Sequence, residues 1–139
     1  MNQALEKAGP WIALLGRVLI AAIFVSAGWS KIGGYAGTQA YMQSMGVPGA
    51  LLPLVIAAEL GGGIAIVVGM FTRLTALGLA AFSVVSALIF HAPVDAMQQI
   101  AFMKNLAMAG GFLFLVASGA GRFSVDALIA RRERDPQHA

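Results

Sequence analysis

Four charged or strongly polar side chains interrupt apolar stretches of this chain: Arg17, Glu59, Lys104 and Asn105. If those stretches cross a membrane, each charge costs at least ~2.5–3.5 kcal/mol at the bilayer centre, so such residues usually face inward and pair. A carboxylate among bases can exchange a proton with a bound hydroxyl, and ammonium and amide groups can donate hydrogen bonds to ligand oxygens. These side chains are therefore the first candidates for a functional site, although they could instead only tie the helices together.

The stretches that carry these residues have the length of membrane-spanning helices. Each is close to the ~20 residues that cross a ~30 Å hydrocarbon layer, and their bounds are 11–29, 51–70, 74–90 and 100–118. Of the 139 residues, 59% are hydrophobic and 11% are charged, whereas soluble domains have about 25% charged residues. A β-barrel would instead show alternating segments of ~10 residues. The sequence therefore predicts an all-α fold, in which residues 1–139 form one integral membrane four-helix bundle.

Two further segments are long enough to form short helices at the membrane surface. In the first loop, Thr38 is expected to cap a short helix that ends at Gly46. In the tail, residues 122–139, Ser124 precedes apolar residues at helical spacing, which predicts an amphipathic cytoplasmic helix. The run Val25-Ser26-Ala27 would suit a signal peptidase, but apolar residues continue on both sides of it, so we expect a retained first span.

The distribution of Lys and Arg predicts the orientation in the membrane. If the N-terminus is cytoplasmic, Lys31 is the only Lys or Arg in an outer loop. The inner connections and tail then hold Lys7, Arg73, Arg122, Arg131, Arg132 and Arg134. Because cytoplasmic segments carry an excess of Lys and Arg, both termini are expected in the cytoplasm. The net charge of +3 is then a consequence of orientation and does not indicate a nucleic-acid partner.

Depth along the spans brings the candidate residues toward each other. At ~1.5 Å per residue, Glu59 lies ~12 Å below the outer end of span two, and Lys104 ~6 Å below the outer end of span four. Arg17 lies ~9 Å above the inner end of span one, and its long side chain can extend toward Glu59. The depths therefore predict that a single acid lies between two bases.

Helical phase adds residues to this site and predicts how the spans pack. At ~100° per residue, one face of span one carries Arg17, Ala21, Phe24, Gly28 and Lys31, and one face of span three carries Arg73, Ala80, Ala87 and His91. Lys31 and His91 thus join the candidate site from the outer ends. Close helix contacts are expected at the small residues Gly61, Gly62, Gly63, Gly69, Gly110 and Gly111. The recurrence of Gly-Gly in spans two and four predicts two duplicated helical hairpins.

Three runs of the sequence carry a family resemblance. They read GRVLIAAIFVSAGWSKIGGYAGTQAYMQSMGVPG, AAELGGGIAIVVGMFTR and FMKNLAMAGGFL. With them the chain resembles the DoxX family of bacterial inner-membrane proteins, and within it the YqjF-type branch, from about residue 10 to residue 127. The residues shared with the family pattern include Arg17, Lys31, Glu59, His91 and Lys104-Asn105. The resemblance implies a multi-pass protein of the bacterial inner (plasma) membrane.

The resemblance also implies a redox setting. DoxX relatives are linked to a thiosulfate:quinone oxidoreductase and to oxidative stress, which implies a quinone- or small-phenol-binding subunit of a membrane oxidoreductase or redox-stress system. The chain has no cysteine, so it has no thiol chemistry of its own, and electrons would come from a bound quinone or a redox partner protein. Met42, Met45 and Met97 are interpreted as packing residues, and no metal site is predicted.

Two other functions fit the same residues. The polar faces and the predicted repeat would suit a small-solute carrier or permeability module. Four short helices make a narrow pathway, so that function would require a homo-oligomer. The charges would alternatively serve assembly alone in a non-catalytic membrane scaffold.

Overall fold

The chain is described by a computed structural model over residues 2–135, and every regular element in that range is helical. The elements are α1 (Gln3–Gly33), α2 (Tyr35–Ser44), α3 (Leu52–Ile56), α4 (Gly62–Val68), α5 (Thr72–Phe90), α6 (Ala96–Ser118) and α7 (Val125–Arg134). A 3₁₀ turn, Gly49–Leu51, precedes α3, and a π-helical turn, Ala57–Gly61, joins α3 to α4. We call the continuous helix Gly49–Val68 span two. The last four residues of the predicted tail, 136–139, lie outside the described residues.

The prediction of an all-α membrane protein is confirmed. Four helices are long and apolar enough to cross a bilayer: α1, span two, α5 and α6. Two of them are longer than the apolar stretches suggested, because polar residues continue the helix beyond the hydrocarbon. α1 already begins at Gln3, and α6 begins at Ala96, where the Asp95 side chain accepts a hydrogen bond from Gln98 N.

The short surface helices also form, with one difference at the start of the first. α2 begins at Tyr35, so Thr38 lies inside the helix and its hydroxyl donates to Gly34 O instead of capping. Gly46, at φ 80°, follows the end of α2 as predicted. In the tail, the Ser124 hydroxyl accepts from Ala127 N and caps α7. A tail helix at that position is therefore confirmed, and its orientation stays a prediction.

The spans pack as two antiparallel pairs, α1 with span two and α5 with α6. This arrangement is the one that duplicated hairpins would produce, and the duplication itself stays a prediction. Between the pairs lies a core of apolar side chains that includes Ala21, Phe24, Ile66, Leu79, Ala109 and Phe112. The ring of Phe24 packs edge-on against Phe112, with 5.3 Å between the centroids. Large apolar side chains on the outside remain exposed, as a lipid-facing surface requires.

The predicted inward face of span one is confirmed, whereas that of span three is only partly right. The buried residues of α1 are Arg17, Ala21, Phe24 and Gly28. On α5, Ala80 and Ala87 are buried, but Arg73 is exposed. Its Nη1 donates to Val116 O at 3.0 Å and to Ala117 O at 2.8 Å, so Arg73 binds the last carbonyls of α6.

Glycines allow α1 and span two to approach closely. A Cβ on Gly28 would lie 2.8 Å from Leu60 N, and a Cβ on Gly63 would lie 2.8 Å from a methyl group of Val25. Close contacts are also found at Gly62, Gly69 and Gly111. The prediction was wrong for Gly61 and Gly110, because no described atom outside their own helix backbone lies within 4 Å of a Cβ there. A side chain at either position would meet open space.

Arg17 closes one end of the bundle by binding backbone carbonyls. We call this the inner end, following the predicted orientation. The residue is 0% exposed, and Nη1 donates to Ile66 O at 3.3 Å and Val67 O at 3.0 Å, while Nη2 donates to Phe123 O. The last carbonyls of a helix have no intrahelical donor, and hydrocarbon offers no water to replace it. Arg17 therefore ties α1 to the end of span two and to the segment before α7.

Asp126 anchors α7 to the turn between span two and α5. Its carboxylate accepts from Phe71 N at 2.7 Å and from Thr72 N at 2.9 Å, and its own N–H donates to Gly69 O at 2.9 Å. Burial acts to raise the pKa of this carboxyl, but the hydrogen bonds from Thr72 and Phe71, with the nearby positive charge of Arg17, outweigh it and hold the pKa below its usual range. The ionised carboxylate thus caps the start of α5.

Gly69 lies where these contacts meet, and it should tolerate no side chain. Its φ is 72°, and a Cβ there would overlap the Arg17 guanidinium and Ser124 Cβ. We expect Gly69→Ala to destabilise the protein by more than the ~1–2 kcal/mol of the left-handed conformation alone. Gly110→Ala is the matched control and should change stability by less than about 0.5 kcal/mol. Thermal unfolding of the purified protein in detergent would show the difference, and equal melting temperatures for the two variants would contradict this account.

Candidate functional site

At the opposite, outer end of the bundle, Lys31 and Glu59 form an ion pair. Lys31 Nζ donates to Glu59 Oε1 at 3.0 Å and to Oε2 at 2.9 Å. Glu59 is 6% exposed, whereas Lys31 is partly exposed toward the outer surface. The lysine lies in the last turn of α1, where the carbonyl end of the helix favours a positive charge. The pair thus joins the outer half of span one to the middle of span two.

A local irregularity of span two positions the carboxylate. Glu59 is the central residue of the π-helical turn Ala57–Gly61. Such a turn adds a residue to the helical repeat and changes the direction of the side chains after it, and π turns occur often at functional sites. The backbone of this turn fits against α1 because Gly28, facing Leu60, has no side chain. Gly28 therefore permits the approach that brings Glu59 beside Lys31.

The predicted arrangement of one acid between two bases was wrong. Arg17 binds carbonyls at the inner end, and its hydrogen bonds all go to backbone oxygens. Lys104 is exposed, and among the described residues it forms no ion pair with Glu59. Depth in the membrane did not reveal lateral position: the base that reaches Glu59 comes from the outer end of α1.

Two cavities are lined by both residues of this ion pair, among the described residues. The smaller, of about 180 Å³, extends inward between α1, α5 and α6, and Phe24 and Phe82 are among the residues that line it. The larger, of about 350 Å³, extends outward beneath α2. Five residues line both cavities: Lys31, Glu59, Phe82, Ser86 and His91. The ion pair therefore lies in the wall that the two spaces share.

The smaller cavity contains a polar group without a partner. Asn105 is 9% exposed and lines this cavity, and its side-chain amide forms no hydrogen bond with any described residue. The amide borders the cavity, so its donor and acceptor atoms are open to whatever occupies that space, and an amide left without a partner there costs free energy. A bound molecule that accepts and donates hydrogen bonds would supply the missing partner.

His91 contributes from the outer end of α5. Its Nδ1 lies 3.0 Å from Gln98 Oε1, and since an amide oxygen only accepts, Nδ1 carries the hydrogen. In the uncharged form of the ring, this leaves Nε2 as an acceptor. Lys31, Glu59, Asn105 and His91 are thus brought together around the cavities, whereas Arg17 and Lys104 are not. The lining offers ammonium and amide donors together with carboxylate and imidazole acceptors, beside aromatic walls.

Comparison with known proteins agrees with this architecture. The DoxX family model matches residues 12–92, more than half of the chain. The chain belongs to the DoxX family. This DoxX protein is 49% identical over 120 residues to the inner membrane protein YqjF of Escherichia coli strain K12, a match that covers 86% of this chain and 92% of that protein. It is 35% identical over 127 residues to the inner membrane protein YphA of the same strain, covering 86% and 91%. No solved structure matches the chain.

Inner-membrane relatives and four apolar helices place this DoxX protein in the bacterial inner membrane, in contact with lipid. The family match includes Lys31, Glu59 and His91, and it ends before Asn105. Both residues of the ion pair therefore lie in the matched region, whereas Asn105 lies on α6, outside it.

Sequence reasoning missed the roles of Gly28, Phe82 and Asp126. Gly28 was placed on the inward face of span one, but nothing in the sequence paired it with Leu60. Phe82 lies half-buried at the junction of the cavities, and its type is common on lipid-facing surfaces. A signal for Asp126 did exist, because it is an acid in the first turn of the predicted tail helix.

The ion pair predicts a specific energetic coupling. Removing one partner leaves an uncompensated charge, so Lys31→Met and Glu59→Gln should each destabilise the protein, and the double variant should lose less than the sum. We expect a coupling energy of about 1–3 kcal/mol between these positions, within the range for residues in direct contact. Chemical unfolding of the purified variants in mixed detergent micelles measures it.

Lys104 offers a matched control for this cycle. Lys104→Met combined with Glu59→Gln should be additive within about 0.5 kcal/mol, as distant sites usually are. If the coupling energy between Glu59 and Lys104 equalled that between Glu59 and Lys31, the result would contradict this structure and support the predicted arrangement of one acid between two bases.

Proposed function

We propose that this DoxX protein binds a quinone or small phenol in the outer cavities and so acts as a subunit of a membrane oxidoreductase or redox-stress system. The observation that carries the proposal is the unpartnered Asn105 amide, which lies in one cavity with the Lys31–Glu59 ion pair. Polar groups that converge at one side of an apolar cavity are the usual pattern of a small-molecule site. The two cavities, at about 180 and 350 Å³, are of a size for a small ligand.

The lining suits a ring that carries oxygen substituents. Phe24 and Phe82 have centroids 6.3 Å apart and offer aromatic surface to a flat ring. The Lys31 ammonium and the Asn105 amide can donate to a carbonyl oxygen, and the Glu59 carboxylate can accept from a phenolic hydroxyl. Hydrogen bonds to charged groups are worth ~1.5–3 kcal/mol each, so Lys31 and Glu59 would contribute most of the polar binding energy.

A redox role would depend on the bound ring and on a second protein. The chain has no cysteine, and its own side chains offer no thiol for electron transfer. A quinone held beside Glu59 could exchange protons with the carboxylate while a partner protein exchanges electrons with the ring. The family membership supports a membrane setting for such a pair of proteins, and the pairing itself is part of the proposal.

The same geometry favours binding over passage of a solute through one chain. Below the smaller cavity, Phe24 packs against the fully buried Phe112. Farther inward, Arg17 ties α1 to span two and to the segment before α7. A solute would have to displace both layers, whereas a ligand that enters and leaves at the outer end displaces neither.

Ligand retention and binding test the proposal. Protein extracted in mild detergent should release a quinone or phenol into organic solvent, and 2,3-dimethoxy-5-methyl-1,4-benzoquinone should bind in calorimetric titration. Asn105→Leu keeps the volume and removes the amide, so it should weaken binding by about 3–10-fold, as expected for one neutral hydrogen bond. Glu59→Gln should weaken it further, because the Glu59 carboxylate holds the Lys31 ammonium at the cavity wall, where it can donate to a quinone carbonyl.

Lys104→Gln is the control, because Lys104 lies outside the cavities and the substitution should leave affinity unchanged within about twofold. The proposal fails if wild-type protein neither retains nor binds such a ring. It also fails if Asn105→Leu and Lys104→Gln have the same effect.

A further inference from the structure

The two outer cavities differ in size and in the chemistry of their walls. The smaller, about 180 Å³, holds the Asn105 amide and the Ser83 hydroxyl, and aromatic side chains close its inner side. The larger, about 350 Å³, is lined mainly by apolar side chains from span two and α5, among them Val55, Val85 and Ile89. Lys31 and Glu59 border both. The two spaces therefore meet at this ion pair, and we take them as the polar and the apolar compartment of one site.

The smaller compartment has room for one ring. An apolar cavity of ~150 Å³ in a protein core accommodates benzene. At about 180 Å³, the polar compartment can hold a single six-membered ring with small substituents and little more. A ligand that consists of such a ring alone would leave the larger compartment without an occupant.

The larger compartment exists because span two and α5 are held together only at their inner ends. The turn between them is fixed there by Asp126, and α4 packs against α5. Toward the outer end, α3 packs on α1 and α2 instead. The space left between the helices is covered on its outer side by α2, where Tyr41 stacks on Phe90 with centroids 5.6 Å apart.

The side of this compartment faces the lipid. Leu51, Val85 and Ile89 line it, and they are 41%, 52% and 37% exposed. Exposed apolar side chains at this depth in a membrane-spanning protein contact hydrocarbon chains. An apolar substituent could therefore extend from the compartment into the bilayer without losing an apolar environment.

We propose that the ligand is a membrane-resident amphiphile: a single oxygen-bearing ring in the polar compartment, with an apolar chain that passes through the larger compartment toward the lipid between span two and α5. This inference rests on the proposed function and selects the lipid-soluble members of that ligand class over water-borne phenols. The ring oxygens lie beside Lys31, Glu59 and Asn105, and the chain leaves past Val55 and Val85. The site is thereby loaded from the bilayer.

Filling the apolar compartment tests this placement. The probes are 2,3-dimethoxy-5-methyl-1,4-benzoquinone and the same ring with a decyl chain, titrated into wild-type protein, Val55→Trp and Leu54→Trp in one detergent. Val55 lines the larger compartment and not the smaller, whereas the neighbouring Leu54 is 67% exposed and lines neither. Because all proteins share the same micelles, partitioning of the decyl compound into detergent cancels in the comparison.

We expect Val55→Trp to weaken binding of the decyl compound at least tenfold and to change the affinity for the compound without the chain by less than twofold. Leu54→Trp should change the affinity for neither compound. If Val55→Trp weakens both compounds equally or neither, the placement of the chain is overturned while the proposed function stands. If wild-type protein binds neither compound, the proposed function is overturned and this inference with it.

A second measurement uses the unmodified protein and so does not depend on folding of the variants. A decyl compound with a photoreactive diazirine midway along the chain should label the outer half of span two and of α5, which peptide mass spectrometry locates. Labelling mainly on α6 would overturn the proposed path of the chain.

Discussion

Hydrocarbon provides no hydrogen-bonding solvent, so each polar group within the spans needs a partner inside the protein, and this constraint organises the whole bundle. At the inner end, the constraint is met for the backbone: the carbonyls that end span two receive the Arg17 guanidinium, and the N–H groups that begin α5 receive the Asp126 carboxylate. Two buried side-chain atoms there, Arg17 Nε and Thr72 Oγ1, have no hydrogen-bond partner among the described residues. At the outer end the constraint is met for Lys31 and Glu59. The Asn105 amide has no partner among the described residues, and it lines the smaller cavity.

The contacts that hold the helices together thus lie mainly at the inner end, and the candidate site lies at the outer end. The inner end joins α1, span two, α5 and the segment that leads into α7 through hydrogen bonds to backbone atoms. The outer end relies on one ion pair and on aromatic contacts, such as that between Tyr41 and Phe90, which leave space between span two and α5. The inner contacts hold span two and α5 together at one end, and a gap between these helices remains at the other.

The parts of this structure that follow from local pattern could be predicted from the sequence, and those that follow from lateral placement could not. The number of spans and the buried face of α1 depend on hydropathy and periodicity within one segment, so they were predicted correctly, although α1 and α6 extend beyond their apolar stretches. The partner of Glu59 depends on how helices rotate about each other and on an irregular π turn, which no apolar pattern records. Arg17 was misassigned because its partners are carbonyl oxygens, and every residue has one. The cavity depends on the absence of side-chain volume, which the sequence shows only as small residues.

The central claim is that the Lys31–Glu59 pair borders a site for an oxygen-bearing ring. A cryo-electron microscopy structure of the protein in a lipid nanodisc, bound to an antibody fragment and saturated with the decyl quinone, tests it most directly. The account predicts density for one ring within hydrogen-bond distance of Lys31 and Asn105, and a chain leading out between span two and α5. A cavity filled by side chains, or Glu59 turned inward to Arg17 with no ring beside it, would contradict the claim.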